Sequence, residues 1–185
     1  MSTYKKNEKM KPIIVIPARL ASTRLPNKPI ADIHGSPMIV HVWRRAIEAN
    51  IGPVIVACAD SEIIDVIKGA GGDAIYTDPS HASGSDRAFE ALQLVDPNKN
   101  YNCVVNIQGD LPTIEADSIS ASLDPLKDSK FDIGTLAAPI KDDVELEDPN
   151  VVKAVLSFKR GKQIAKALYF SRAKVPSGST TFYHH

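Results

Sequence analysis

The stretch IIVIPARLASTRLPNK, residues 13–28, runs from a short apolar segment directly into a loop that carries three cations. Its first four residues are all β-branched, which is typical of a buried strand. The loop then places Arg19, Arg24 and Lys28 close together, separated by small, hydroxyl and proline residues. Several cationic donors that converge from one side suit a polyphosphate, although Arg24 and Lys28 could also be plain exposed loop cations.

The overall charge is balanced, with 22 Lys plus Arg residues against 22 Asp plus Glu residues in a chain of 185. General nucleic-acid binders and proteins of anionic membrane surfaces normally carry a basic excess, so neither kind of partner is expected. The chain has no apolar run of the roughly 18 residues that a membrane span needs, and no signal peptide is visible. We expect a cytoplasmic protein with a disordered leader over residues 1–10.

The two cysteines, Cys58 and Cys103, lie inside apolar runs that read as strands. They form no disulfide framework and no metal-ligand spacing. We expect both to be buried, reduced thiols that behave as small core residues.

Short apolar runs alternate with helix-period segments from residue 11 onward. Such alternation indicates βαβ units and a parallel sheet covered on both faces. We therefore predict an α/β fold with a Rossmann-like, doubly wound, mostly parallel sheet in a single domain over residues 11–185. The predicted strands are 13–17, 54–59, 74–77 and 101–107, and the predicted helices are 38–50, 61–67, 85–95 and 113–126.

The last third of the chain has a different pattern. Residues 133–140, 151–158 and 167–170 are strand-like, and no long helical pattern separates them. The sequence predicts a mixed or antiparallel extension of the sheet there.

Polar groups follow each of the four predicted strands. They are the basic loop, Asp60, the segment 81–87 and the segment 108–110. The carboxyl ends of parallel strands share one edge of a sheet, and ligands bind at that edge. We expect these four groups to face a single crevice.

Asp110 is the best candidate for a metal ligand. It stands at a strand end after Gly109, which could let a ligand approach the backbone, and Mg²⁺ is usually held by one or two carboxylates plus substrate phosphates. Its alternative role is to cap the helix that follows Pro112. Asp60 could serve equally as a turn or cap residue.

The segment 81–87 places Ser83-Gly84-Ser85 just before a predicted helix, where backbone N–H groups favour anions or polar ligand edges. His81 could be an ordinary loop histidine, and Asp86 and Arg87 could be first-turn charges. The glycine patterns of dinucleotide enzymes and of P-loop NTPases are absent, which disfavours both classes.

Residues 16–29 (IPARLASTRLPNKP) closely resemble the signature of the sugar-acid cytidylyltransferases. Four further segments restrict the resemblance to one branch of that family: MIVHV (38–42), HASGSDR (81–87), VNIQGDLP (105–112) and ALYFSR (167–172). Together they are similar to the branch that activates 3-deoxy-manno-octulosonate (Kdo), over residues 12–185. The first signature is shared with CMP-sialic acid synthetases, so a synthetase for sialic acid or for a related 2-keto sugar acid is the alternative.

The resemblance implies a fold of the nucleotide-diphospho-sugar transferase type, a homodimer, and the reaction CTP plus Kdo to CMP-Kdo plus diphosphate with Mg²⁺, for lipopolysaccharide biosynthesis. The anomeric hydroxyl of Kdo would attack the α-phosphorus of CTP. Arg19, Arg24 and Lys28 would hold the triphosphate, and Asp110 would hold the metal; these four are the implied catalytic residues.

The resemblance also implies two sets of binding residues. An arginine suits the carboxylate of the sugar acid because its guanidinium can pair with both oxygens. The sugar residues would be Gln108, Arg172 and His185, with His184 adjacent and not separable from His185. The nucleotide residues would be Pro17, Ala18, Arg19, Ser22, Arg24, Lys28, Ser83, Gly84, Arg87 and Gln108.

Two features depart from the family pattern. Leu111 stands where the family usually has an acidic residue. The family continues past the position of His185 with a second metal-binding aspartate and a helix used in dimer contacts, so we expect this chain to lack the C-terminal part of the domain. A CTP-binding module without turnover is therefore the alternative of a different class.

Overall fold

The computed structural model describes residues 9–21, 26–128 and 130–185. The chain divides after Ser120 into two compact units. Most of the predicted leader, residues 1–8, lies outside the described residues. Among the residues that are described, none of the helices has the length and apolar character needed to cross a membrane.

The first unit is built on a four-stranded sheet in which all neighbouring strands are parallel. Its strands are β1 (Pro12–Ala18), β4 (Val54–Cys58), β5 (Asp73–Tyr76) and β6 (Cys103–Asn106), and a small hairpin of β2 (Asp32–Ile33) and β3 (Ser36–Pro37) precedes the first helix. The order across the sheet is β5-β4-β1-β6. This is the arrangement of a doubly wound fold, so the predicted α/β class is confirmed.

The core of this unit lies along β1, which is central in the sheet. Ile14, Val15 and Ile16 are 0% exposed, as expected for a parallel strand covered on both faces. Ile14 lies opposite Val54 on one side and Val105 on the other. The apolar run that opens the sequence therefore fixes the middle of the sheet.

Three helices of the first unit lie close to their predicted positions: α1 (Met38–Glu48), α2 (Ser61–Gly69) and α3 (Gly84–Val95). In α1 the apolar residues Ile39, Val42 and Ala46 follow the helical spacing i, i+3 and i+7 and are buried. Ile47, at i+8, is 49% exposed because that position lies about 80° around the helix from Ile39.

The predicted helix over 113–126 is shorter and broken. The structure has α4 (Ala116–Ala121) and a separate 3-10 turn at Asp124–Lys127. Pro125 has no N–H for the α-helical ladder and its ring disfavours continuation, which accounts for the break.

The second unit contains an antiparallel sheet with the order β7-β10-β8-β9. Its strands are β7 (Ala138–Pro139), β8 (Lys153–Phe158), β9 (Ala165–Ser171) and β10 (Tyr183–His184), and a short helix α5 (Asp143–Glu147) precedes β8. The predicted antiparallel pairing in the last third of the chain is confirmed, and these strands form a sheet of their own. The strand expected over 133–140 is mostly irregular, with Ile133 85% exposed, because its glycine and alanines have low strand propensity.

Both cysteines are free thiols on strands of the parallel sheet. Cys58 is 0% exposed, as expected, whereas Cys103 is only partly buried. Burial raises the pKa of the Cys58 thiol to about 11 and also raises the pKa of Cys103.

Candidate active site

The carboxyl ends of the parallel strands form a rim, defined here by residues 17–20, Asp60, 83–84 and 108–110. Gly84 and Gly109 both lie against Pro17, at the end of β1. A Cβ added to Gly84 would lie 3.1 Å from Pro17 Cγ, and one added to Gly109 would lie 2.9 Å from the Pro17 carbonyl oxygen. The start of α3 and the segment after β6 therefore meet at the end of β1.

The basic loop is tied back to the rim at Leu20. The Leu20 N–H donates to Asp60 Oδ2 at 2.9 Å, and the Leu20 carbonyl accepts from the Asn27 N–H at 3.2 Å. Asn27 has φ 58°, in the left-handed region that asparagine tolerates. The two ends of the loop are thus fixed, while Ser22 and Arg24 of the predicted site lie outside the described residues.

The structure decides whether Asp60 caps the helix that follows it. It occupies the N-cap position of α2, but its side chain makes no capping hydrogen bond. Its carboxylate holds the backbone of the basic loop instead. Sequence reasoning missed this role because nothing in the local pattern points from Asp60 to Leu20.

Lys28 and Asp110 are in direct contact. The Lys28 Nζ lies 2.7 Å from Asp110 Oδ2, although the two residues are 82 positions apart in the sequence. Their side chains are 36% and 49% exposed. Since α4 begins only at Ala116, Asp110 does not cap that helix. The structure thus joins a predicted phosphate ligand to the predicted metal ligand.

Ser83 caps α3, and Gly84 begins the helix. The Ser83 hydroxyl accepts from the Asp86 N–H at 3.1 Å and donates to Asp86 Oδ2 at 2.7 Å. This reciprocal cap fixes the start of the helix beside Pro17. A cytidine contact of Ser83 or Gly84 stays a prediction.

Arg87 is buried rather than a solvated charge of the first turn, with 3% exposure. Its Nη1 donates to the Thr77 hydroxyl at 2.5 Å, and that hydroxyl donates to the Cys58 carbonyl at 3.2 Å. Arg87 therefore links α3 to the ends of β4 and β5. Its nucleotide contact stays a prediction. Arg87 lies in the first turn of α3, as the alternative had it, but its charge is buried.

His81 has a defined partner in α3. Its Nε2 lies 2.6 Å from Glu90 Oε2, and the same oxygen accepts from the Asp78 N–H at 2.8 Å. The Asp78 N–H and then His81 lower the pKa of Glu90. The pair fixes the loop that leads to Ser83.

The predicted sugar residues are distributed over both units. Gln108 is exposed on the rim of the first unit. In the second unit, Arg172 Nη1 donates to the Pro149 carbonyl at 2.9 Å, and His185 Nδ1 lies 2.8 Å from the Thr135 hydroxyl. His184 instead lies 3.6 Å from Glu145, so the two histidines that the sequence left inseparable have different partners.

The donor set fits magnesium bound together with a nucleotide. Within the described parts of the chain, no group of three or more His, Cys, Asp or Glu side chains is arranged to hold a metal ion. One accessible carboxylate is nevertheless what such a site needs, because phosphate oxygens and waters supply the remaining ligands of Mg²⁺. Asp110 meets this requirement.

Comparison with known proteins agrees with this geometry. The family model described as cytidylyltransferase matches residues 13–184. Two relatives named 3-deoxy-manno-octulosonate cytidylyltransferase are those of Paramagnetospirillum magneticum, at 51% identity over 94% of this chain and 71% of the relative, and of Rhodospirillum centenum, at 56% identity over 94% and 68%. A solved structure of CMP:2-keto-3-deoxy-manno-octonic acid synthetase complexed with CTP matches with a TM-score of 0.82 and 35% identity, over 95% of this chain and 71% of that chain.

These matches cover the parallel sheet, the rim and the antiparallel sheet alike. The family model spans nearly all described residues, and the identity to the curated relatives exceeds one half. This chain belongs to the cytidylyltransferase family, in the branch of the 3-deoxy-manno-octulosonate cytidylyltransferases.

Proposed function

We propose that this protein transfers the cytidylyl group of CTP to Kdo and releases diphosphate. Family membership supports the reaction. The structural observation that carries the proposal is the contact of Lys28 with Asp110 at 2.7 Å, beside Pro17 and Gly109 on the rim. A cation and a carboxylate at the same point suit a triphosphate together with its divalent metal.

In this reaction the anomeric hydroxyl oxygen of Kdo forms a bond to the α-phosphorus. The bond from that phosphorus to the bridging oxygen of the β-phosphate breaks, diphosphate leaves, and the hydroxyl proton is released. Negative charge builds on the leaving group. Arg19, Arg24 and Lys28 would stabilise it, which is catalysis by positioned charge.

Asp110 would hold the magnesium ion. When bound, the metal would polarise the phosphorus centre and offset the charge of the triphosphate. Lys28 balances the Asp110 carboxylate in the described structure. With a metal ion held by that carboxylate, the Lys28 ammonium would be available for a phosphate oxygen of the nucleotide.

Arg172 would bind the carboxylate of the sugar acid, with Gln108 and His185 as further polar contacts. A guanidinium donates two parallel hydrogen bonds to a carboxylate, which fixes the orientation of the substrate as well as its charge. The remaining nucleotide contacts would come from Pro17, Ala18, Ser22, Ser83, Gly84 and Arg87.

We further propose a homodimer that acts in the cytoplasm. The support is the resemblance of residues 16–29 and 167–172 to enzymes with those properties. Light scattering at micromolar concentration, on a chain that includes the C-terminal helix of the family, tests the dimer: a mass of twice that of one polypeptide is expected, and a monomer would contradict it.

The function is tested by diphosphate release from CTP and Mg²⁺ with either Kdo or N-acetylneuraminate. Release with Kdo alone is the expected result. Release with N-acetylneuraminate alone would overturn the proposal in favour of a CMP-sialic acid synthetase. Binding of CTP in calorimetry, without diphosphate release in the presence of either sugar, would identify a CTP-binding module.

A further inference from the structure

Lys153 is a fully buried lysine in the second unit, and nothing in the proposed reaction uses it. It begins β8 and is 0% exposed. Its ammonium donates to the carbonyl oxygens of Asp148 at 2.6 Å, Val151 at 3.1 Å and Arg172 at 3.1 Å. A buried ammonium is costly unless its donors are hydrogen-bonded, and here all three have acceptors.

The position of Lys153 in the sheet explains this environment. Strand β8 lies between β9 and β10, and Lys153 is in register with Ser171 on one side and His184 on the other. Arg172 and His185 directly follow those two residues. The first residue of β8 therefore lies beside the two residues that directly precede the predicted sugar ligands.

Lys153 fixes Arg172 at two points. Its ammonium holds the Arg172 carbonyl directly. It also holds the carbonyls on either side of Pro149, at Asp148 and Val151, and the Pro149 carbonyl accepts from Arg172 Nη1 at 2.9 Å. Lys153 therefore holds the Arg172 backbone directly and supports its guanidinium indirectly, through the segment that carries the Pro149 carbonyl.

We propose that Lys153 is a positioning residue for the sugar acid, because it orients the guanidinium of Arg172 toward the substrate's carboxylate. Bidentate recognition tolerates little error in orientation, so the supports of such a guanidinium matter for binding. The inference rests on the proposed function of Arg172.

The test compares Lys153→Met with Lys166→Met. Methionine keeps the length and most of the volume of lysine and removes its donors. Lys166 is exposed on β9 opposite Ser157, so the same substitution there serves as a matched control. Lys153→Met is expected to raise the KM for Kdo about tenfold, because a misplaced guanidinium binds the carboxylate less well, with the KM for CTP unchanged. Lys166→Met is expected to change neither.

A double-mutant cycle separates positioning from general destabilisation. In an Arg172→Ala background, Lys153→Met should not raise the KM for Kdo further, since the group it orients is gone. An independent, additive increase would overturn the proposal, as would a lower Tm with both KM values at wild-type level or raised equally. If Lys153→Met does not fold, Lys153→Arg replaces it. This variant should also raise the KM for Kdo without changing the KM for CTP, and the same results would overturn the proposal.

The wild-type protein in the same assay keeps this inference distinct from the proposed function. If the wild-type protein turns over Kdo but the Lys153 variants do not raise the KM for Kdo more than the KM for CTP, only the role of Lys153 is overturned. No wild-type turnover of Kdo overturns the proposed function and, with it, this use of Arg172.

Discussion

At the scale of single residues, the contact of Lys28 with Asp110 contributes little to stability. Both side chains are more than a third exposed, and exposed ion pairs are worth about 0–1 kcal/mol. A stability argument therefore does not account for a lysine and an aspartate that meet across 82 positions of sequence. Their value lies in what they offer to a ligand.

Lys28→Met should weaken CTP more than CMP, because only CTP carries the outer phosphates that need a cation. Calorimetry with both nucleotides measures this difference. The free energy of unfolding in urea should change by no more than about 1 kcal/mol. Lys68→Met, on the exposed face of α2, is the control and should affect neither nucleotide. Equal weakening of CTP and CMP would count against a triphosphate cradle.

Asp60→Ala should raise the KM for CTP several-fold with little effect on kcat, because the Leu20 N–H loses its acceptor and the basic loop loses an anchor. Asp60→Asn retains an amide oxygen at the same place and should recover most of the affinity. Steady-state kinetics at saturating Kdo measure both variants. An unchanged KM in Asp60→Ala would show that the loop does not depend on this bond.

Residue type and position after a strand led to the prediction of Lys28 and Asp110 as site residues, and the structure brings the two together. Their contact was not predictable, since it depends on the path of the chain through the sheet. Arg87 shows a signal that could have been used. It lies one helical turn before the buried Ala91, and residues at i and i+4 share a face.

At the scale of elements, Gly109 is required for packing within the protein. The sequence suggested that this glycine lets a ligand approach, but the close neighbour is the Pro17 carbonyl, 2.9 Å from where a Cβ would be. An alanine at this position would force the segment after β6 or the end of β1 to shift.

Gly109→Ala should lower the free energy of unfolding by about 1–3 kcal/mol, the usual cost of an added methyl in tight packing. Gly69, at the end of α2, has no atom within 4 Å of an added Cβ and no positive φ. Gly69→Ala should raise stability by about 0.5–1 kcal/mol. Urea unfolding of both variants is the measurement. If Gly109→Ala is as stable as Gly69→Ala, the rim relaxes around the extra methyl.

The elements differ in how well the sequence predicts them. Continuous β-branched runs such as 13–16 specify buried strands with little ambiguity. Strand β10 was missed because two residues, Tyr183 and His184, show no periodicity. The helix over 113–126 was too long because an apolar period continues across Pro125, where the backbone cannot remain α-helical.

At the scale of the whole molecule, the parallel sheet protects Cys58 from solvent. The thiol is 0% exposed and its pKa is raised to about 11 by burial. The folded protein prefers the protonated thiol. That preference is fully present below the ordinary pKa of 9.0 and is lost as pH rises toward 11.

Near pH 8, Cys58 should therefore resist an aromatic disulfide reagent until the sheet unfolds, because thiolate is the reactive form. Cys103 is only partly buried and should react first. Absorbance of the released thiolate counts the reactive groups in native and urea-unfolded protein. In Cys103→Ser the native protein should show almost no reaction, and fast labelling of Cys58 in that variant would mean that the sheet opens readily.

Under the proposed function, the hydrogen bond from the Leu20 N–H to the Asp60 carboxylate couples nucleotide binding to the alignment of β1 and β4. The loop leaves β1, but its anchor is a carboxylate just past the end of β4. Sliding β1 along β4 by even half an ångström would stretch a contact of 2.9 Å toward the limit of a useful hydrogen bond. Nucleotide affinity would then report small shifts of β1 relative to β4. It would fall before the sheet unfolds.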